Sequence, residues 1–317
     1  MIDSHCHLNF ETLSKDLPNI VKRCIDSGVT HLLSINTNPK DFQKHLDLIS
    51  DFNNIFISYG IHPEGINNDT IFSFEEIEKV IKNPRLIAFG ETGLDFYHSI
   101  EYKNKQFEIF EAHIEASKIY DIPLIIHQRN SEEEIIEVLN KFKNDNLKLV
   151  FHCFTGSKKL LEFCIENNYY ISLSGIVTFK NASSLREIIV NASLDHLLIE
   201  TDSPFLAPVP MRGKSNEPSF VKFTGEFLAE FYSMSKENFF ELTNNNCLVL
   251  DFGTATTYDI ISDKQEFILN IRHIEKFIQA FEKRDVPPFE LDKISKAVLD
   301  IHAMNLENKP SKKAKKR

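Results

Sequence analysis

Residues 107–129 read FEIFEAHIEASKIYDIPLIIHQR. In the first part, Phe107–Tyr120, the apolar Phe107, Phe110 and Ile114 recur at the spacing of a helix with one buried face. The second part, Pro123–Ile126, is a short apolar run of strand length that leads straight into His127. The same alternation extends in both directions. Strand-like runs fall at Met1–Cys6, His31–Ile35, Ile55–Tyr59, Leu86–Phe89, Pro123–Ile126, Leu147–Phe151, Tyr169–Leu173 and His196–Glu200, with longer amphipathic stretches between them. Eight strands alternating with helices is the count of a parallel (β/α)8 TIM barrel in the α/β class. An open doubly wound sheet is the rival, but no G-x-G-x-x-G follows the first strand. The barrel is expected.

The chain has 317 residues, with 36 Lys and Arg against 46 Asp and Glu, a formal net charge of −10. Hydrophobic residues at 42% and charged residues at 26% describe a globular protein with ample core and exclude a disordered one. The acidic balance argues against gripping nucleic acid by broad charge alone, and leaves room for an enzyme that grips phosphates locally. The cysteines are scattered and never spaced C-x-x-C, which suits thiols in a reducing compartment and not a disulfide scaffold. No basic region followed by an apolar run opens the sequence, and no run of about 18 apolar residues occurs. A cytoplasmic protein is expected, with no membrane association and no obligate protein partner.

Past about Leu242 the rhythm breaks. Cys247–Phe252 and Thr257–Ile261 have the composition of two short strands, and Phe267–Glu282 and Leu291–Asn305 that of two helices separated by Val286-Pro287-Pro288. The expected organisation is a barrel at 1–246, a short α+β appendage at 247–307 that the barrel count does not require, and a basic disordered tail at 308–317. The stretch Leu248–Ile261 resembles an internal strand-turn-strand of type III pantothenate kinases, but it is far too short to make a kinase.

Ligand-type side chains gather at the C-terminal ends of the expected strands. His5 and His7 close the first run in Asp3-Ser4-His5-Cys6-His7, and residues two apart on a strand share a face. Glu91 follows the fourth run, His127 the fifth, His152 the sixth and Asp202 the eighth. That rim is where barrel enzymes assemble their sites, so six residues from five strands can converge on one point. Imidazoles and carboxylates together are a ligand set for divalent metals.

These residues carry a resemblance. The H-x-H of His5–His7, G-I-H-P (Gly60–Pro63), G-E-T-G-L-D (Gly90–Asp95), H-x-R (His127–Arg129), H-C-F-T-G (His152–Gly156), E-T-D-S-P (Glu200–Pro204) and R-G-K-x-N-E-P (Arg212–Pro218) resemble the TatD family in order and roughly in spacing, over residues 1 to about 246. The resemblance implies a barrel of the metal-dependent hydrolase type, usually described as a deoxyribonuclease. It implies that His5, His7, Glu91 and Asp202 hold one metal while Glu91, His127 and His152 hold a second, with Glu91 bridging and Asp202 accepting a proton from water. Two divalent ions are thus expected. The family is described as Mg-dependent, although four histidines suit Zn, Mn or Fe better than Mg.

His62, after the third strand, is a candidate for substrate phosphate or for support of the ligands. Arg129 is a candidate for a phosphate oxygen or for an acid such as Glu91 or Asp95. Arg212 and Lys214, on the loop after Asp202, are candidates for the nucleic-acid backbone. Asn216-Glu217-Pro218 reads as a helix start with an Asn cap. Asn130-Ser131 stand where family members often carry an acid and then Ala, a departure that touches no metal ligand. The expected reaction is hydrolysis of phosphodiester bonds in single-stranded or end-exposed DNA, as an exonuclease. The alternative is deacylation of D-aminoacyl-tRNA, or another ester or amide hydrolysis on the same site. Many amidohydrolases bridge their metals with a modified Lys, whereas the fourth strand here offers Glu91.

Overall fold

In the computed structural model, residues 1–97, 100–143, 145 and 147–251 are described. Strands β1 (Ile2–Cys6), β2 (His31–Ser34), β3 (Ile55–Tyr59), β4 (Leu86–Asp95), β5 (Leu124–Arg129), β6 (Leu149–Phe151), β7 (Tyr170–Leu173) and β8 (Leu197–Ile199) lie side by side in chain order, each parallel to the next. Between them run α1 (Glu11–Ser14), α2 (Leu17–Asp26), α3 (Phe42–Leu48), α4 (Phe74–Val80), α5 (Lys103–Tyr120), α6 (Glu132–Lys141), α7 (Lys158–Glu166) and α8 (Ser183–Ile189). After β8 come α9 (Val221–Phe231) and α10 (Lys236–Asp251). Local chemistry sets several of the ends. Ser73 and Ser157 accept the backbone N–H groups of Glu76 and Leu160 at the starts of α4 and α7, and Asp121 closes α5 in the left-handed region.

The ring shuts between β1 and the segment after β8. Asp202 N donates to His5 O at 2.9 Å, and His7 N to Ser203 O at 2.8 Å. Across the same seam the buried Asp3 carboxylate accepts from Thr201 N at 2.9 Å and from Thr201 Oγ1 at 2.6 Å. The protein is a (β/α)8 TIM barrel.

Two apolar clusters follow from the alternation of strand residues. Leu124, Ile126, Leu149, Phe151, Leu197 and Ile199 belong to the large core shared with the helices. The residues between them, Ile125, Val150 and Leu198, join Ala88 of β4, Tyr170 of β7 and Ile35 just past β2 in a small cluster, the filling of the barrel.

Two expectations change. β4 does not end at Phe89 but continues to Asp95, because Gly93, Leu94 and Asp95 stay paired with His127, Gln128 and Arg129 of β5. Its polar residues read as loop only because their side chains serve the site. The expected strand over Cys247–Phe252 is helical through Asp251 as part of α10, which also runs through the expected division at 246. Cys247 packs against the barrel-filling cluster, and Asn246 Nδ2 donates to the carbonyls of Leu194 and Leu197 beneath β8. A short apolar run does not by itself tell a strand from a helix segment. The expected strand at Thr257–Ile261, both tail helices, the kinase-like segment beyond Asp251 and the basic tail lie outside the described residues. No helix among the described residues is long and apolar enough to cross a membrane.

Candidate metal centre

The period of two that fills the barrel also delivers the ligands. Two residues beyond Ile125 on β5 stands His127, and two beyond Val150 on β6 stands His152. Two beyond Leu198 stands Glu200, so all three point up the barrel axis. On β4 this count fails, since an inward Ala88 puts Gly90 inward and Glu91 outward. The register repairs it: Phe89 pairs with Leu124 but Thr92 with Ile126, three residues on β4 against two on β5. The extra residue turns Glu91 inward, where it is 2% exposed. Glycines make the shift possible. A Cβ on Gly90 would sit 2.5 Å from Ile125 O and one on Gly93 2.1 Å from His127 O, and both backbones have positive φ (127° and 138°).

Glu91 divides its oxygens. Oε2 lies 3.4 Å from His5 Nε2 and 3.8 Å from His7 Nε2. Oε1 lies 2.7 Å from His152 Nε2, 2.9 Å from His127 Nδ1 and 3.3 Å from His62 Nε2. Asp202 Oδ1 completes the first set, 3.2 Å from His7 Nε2 and 3.7 Å from His5 Nε2, with 3.3 Å between the two imidazole nitrogens. Four ligands placed tetrahedrally at about 2.0–2.2 Å from an ion would stand about 3.3–3.6 Å apart. The separations given for the first set run from 3.2 to 3.8 Å, around that spacing. Glu91 Oε2 is buried and accepts no hydrogen bond among the described residues, as a position meant for a cation requires.

On the second side each ring has a carboxylate behind it. His127 holds Asp95 Oδ2 at 2.9 Å with Nε2, leaving Nδ1 for Glu91. His152 faces Glu200 Oε1 at 3.5 Å with Nδ1, leaving Nε2 for Glu91. The hydrogen bond to Asp95 would fix the His127 tautomer so that its bare nitrogen faces a metal ion, whereas His152 Nδ1 and Glu200 Oε1 make no hydrogen bond among the described residues. His62 is different. Its Nδ1 accepts the Glu64 N–H at 3.1 Å, so Nε2 keeps its proton and points it at Glu91. Although His62, Glu91 and His127 form a compact donor set, this tautomer makes His62 a hydrogen donor and not a ligand.

Charge in the cluster is shared between acids and imidazoles. Burial opposes ionisation of Glu91, yet the imidazoles of His152, His62 and His127 hold it well below the usual carboxylate range. Burial likewise opposes the charge on His152, but Glu91 and Glu200 raise it well above the usual imidazole range. His7 is raised by Asp202 against its burial, while burial lowers His5. Divalent ions would replace the protons that now balance these carboxylates. The residues therefore fit a pair of metal ions: His5, His7, Glu91 and Asp202 for one, Glu91, His127 and His152 for the other.

The cluster opens into a cleft of about 1370 Å³ lined by His62 and Arg129 as well as by the ligands. Arg129 stacks its guanidinium on the Tyr97 ring at 3.8 Å from the centroid and lies near enough to Asp95 to help lower it. Arg212 and Lys214 do not line this cleft. Arg212 stacks on Phe179 at 3.9 Å, and Lys214 is exposed. Asn216 is no helix cap: its Nδ2 donates to Thr201 O and Phe205 O, tying down the loop after Asp202, and Pro218 begins the next helical turn instead. Sequence reading missed the roles of Glu200 and of Asp95 behind His127. The inward parity of Glu200 with Leu198 was a signal that could have found the first.

Residues 2–250 match the family model described as TatD related DNase. The chain is 34% identical over 249 residues to the uncharacterized metal-dependent hydrolase YcfH of Escherichia coli K12, covering 78% of this chain and 93% of that one. It is 28% identical over 234 residues to a protein of Salmonella typhimurium named 3'-5' ssDNA/RNA exonuclease TatD, covering 72% and 90%. The crystal structure of YJJV, a TatD homologue from Escherichia coli K12, superimposes with a TM-score of 0.74 at 25% identity over 80% of this chain and 98% of that one. With its eight-stranded barrel, the match to the family model over residues 2–250 and these relatives, the chain belongs to the TatD-related DNase family of metal-dependent hydrolases.

Proposed function

We propose that this protein hydrolyses phosphodiester bonds of single-stranded or end-exposed DNA, removing nucleotides as an exonuclease with two divalent ions. The observation that carries the reading is the division of Glu91 between two ligand sets, the arrangement by which one carboxylate spans a pair of cations. When bound, such ions supply Lewis acidity for phosphate oxygens and lower the pKa of water. The chain supplies the rest. Asp202, 15% exposed and reaching into the cleft beside His7, is placed to accept the proton of the attacking water. Arg129, which lines the cleft, is the donor for the non-bridging phosphate oxygens, while His62 lines the cleft beside it and gives its Nε2–H to Glu91. The Salmonella relative's name supports a nucleic-acid substrate. Scattered cysteines without a C-x-x-C support a cytoplasmic setting.

Metal-stripped protein, given Mg, Mn, Zn or Fe in turn, tests the reading on single-stranded DNA labelled at either end and on a D-aminoacyl-tRNA. Metal-dependent release of mononucleotides from one end of the DNA is expected. Turnover of the aminoacyl ester alone would replace the phosphodiesterase reading with the deacylase one.

A further inference from the structure

Two large aromatic side chains stand in the open at the metal centre. Phe10 is 40% exposed and Phe205 is 49% exposed, and both line the cleft that holds the ligands. Their rings meet edge to face with centroids 5.4 Å apart, and Phe10 meets the His7 ring at the same distance. Each lies three residues past a ligand of the first set and is held there by the same turn. Phe10 N donates to His7 O at 3.2 Å, and Phe205 N donates to Asp202 O at 3.0 Å. The carbonyl of Phe205 is also held by Asn216 Nδ2. The two rings are thus carried by the backbone segments that carry His7 and Asp202, and neither belongs to the buried core.

We infer that Phe10 and Phe205 form a stacking platform for a nucleobase next to the scissile phosphate; this rests on the phosphodiesterase reading above. A phosphate bound at the ligand cluster leaves its flanking base within reach of these rings. Aromatic rings stack on any base, because each base has a π face, and phenylalanine offers no hydrogen bond to tell bases apart. The platform therefore selects for strands whose bases are unstacked and gives little preference among bases. A paired base is already stacked and must first be freed from its neighbours. Single strands and frayed ends are favoured without any extended basic surface, in keeping with a net charge of −10.

The test compares a fluorescent single-stranded oligothymidylate with an abasic oligomer of equal length, which keeps sugars and phosphates but has no bases. Binding to metal-free protein is followed by anisotropy, and cleavage is followed after metal is restored. The wild-type protein is expected to prefer the thymidylate in both. In the double variant Phe10→Ala/Phe205→Ala, affinity and kcat/KM for the thymidylate should fall on the order of 10–100-fold, and the ratio between the two substrates should approach one. Phe10→Tyr/Phe205→Tyr should restore the preference. If the double variant is unstable, Phe205→Ala alone carries the same comparison. A double variant with the wild-type ratio, or a wild type that treats both oligomers alike, overturns the platform and leaves the phosphodiesterase reading standing. A wild type that cleaves neither oligomer with any ion overturns the phosphodiesterase reading, and the platform falls with it.

Discussion

The two sides of Glu91 are organised by different means. On the side of Oε2, the far ring nitrogens of His5 and His7 have no hydrogen-bond partner among the described residues. What fixes those rings is backbone: Asp202 N on His5 O and His7 N on Ser203 O, the seam where the barrel shuts. On the side of Oε1, His127 stands within β5 and is steered by the Asp95 carboxylate, while His152, one residue past β6, has Glu200 Oε1 3.5 Å from its Nδ1 with no hydrogen bond between them. One half rests on closure of the ring, the other on the Asp95 carboxylate hydrogen-bonded behind His127. Substitutions near the first half should thus act through geometry of the chain, and those near the second through ring orientation.

Glu91→Gln should give the largest effect, because it removes a charge common to both halves while keeping size and one acceptor oxygen. Metal analysis should show loss at both positions. Turnover should fall by at least about 10³-fold, roughly 4 kcal/mol in barrier. Two ions bound normally with near wild-type turnover would remove the bridging assignment. Asp202→Asn comes next: the amide oxygen can still ligate, but it cannot take the water's proton. Turnover should fall about 10²–10³-fold while much of the metal is retained, and equal losses of metal and rate would reduce Asp202 to a ligand only. Asp95→Asn is the sharpest probe of the second half. It should weaken one ion about 10–100-fold and leave the other unchanged, as measured by competitive chelator titration. A variant that loses both ions together would show that the halves are not separately supported.

The smallest effect concerns the support of His62. His113, buried in α5, donates from Nδ1 to Ile109 O and accepts the Ile61 N–H on Nε2, holding the residue just before His62. Burial lowers the His113 imidazole to about 4, and burial does the same to His45. Both rings are neutral in the folded state, whereas the unfolded chain takes up protons near 6.5. The unfolded state therefore binds more protons between about pH 6.5 and 4. The stabilisation is full above about 6.5 and is lost as pH falls toward 4, on the order of 3 kcal/mol per ring at the limit. His113→Phe should cost about 1–3 kcal/mol at pH 7.5 by leaving the Ile61 N–H unpaired. It should also flatten the decline in urea midpoint between pH 7.5 and 5 relative to the wild type. A parallel decline in both proteins would remove His113 from the acid sensitivity.

The barrel and the gathering of the six candidate ligands were legible in the sequence for one reason: each stands at or just past a short apolar run, and such runs are hard to mistake. β3 runs Ile55–Tyr59, as its apolar run suggests. What the sequence hid depends on pairing across strands. Asp95 and Glu200 are two acids among 46 Asp and Glu, and only the neighbouring strands show that a histidine lies in front of each. The inward turn of Glu91 depends on one extra residue in the β4–β5 register, which no single-strand pattern reveals. Phe10 and Phe205 read as ordinary apolar residues, since exposure is a property of the finished surface. The strand composition of the run after Asn246 misled, because a short apolar run fits a strand and a helix segment equally well.

The seam has a consequence for the order in which the protein becomes a metalloprotein. His5 and His7 are made almost two hundred residues before Asp202, yet all three face the same point. A growing chain cannot hold the first ion until its eighth strand has come round to meet its first. Ion capture at that position is thus a report of completion, and a captured ion acts as a rivet across the last joint to be made. By mass action, whatever binds only the closed ring shifts the balance toward it. Starved of metal, the barrel should open first where it was finished last.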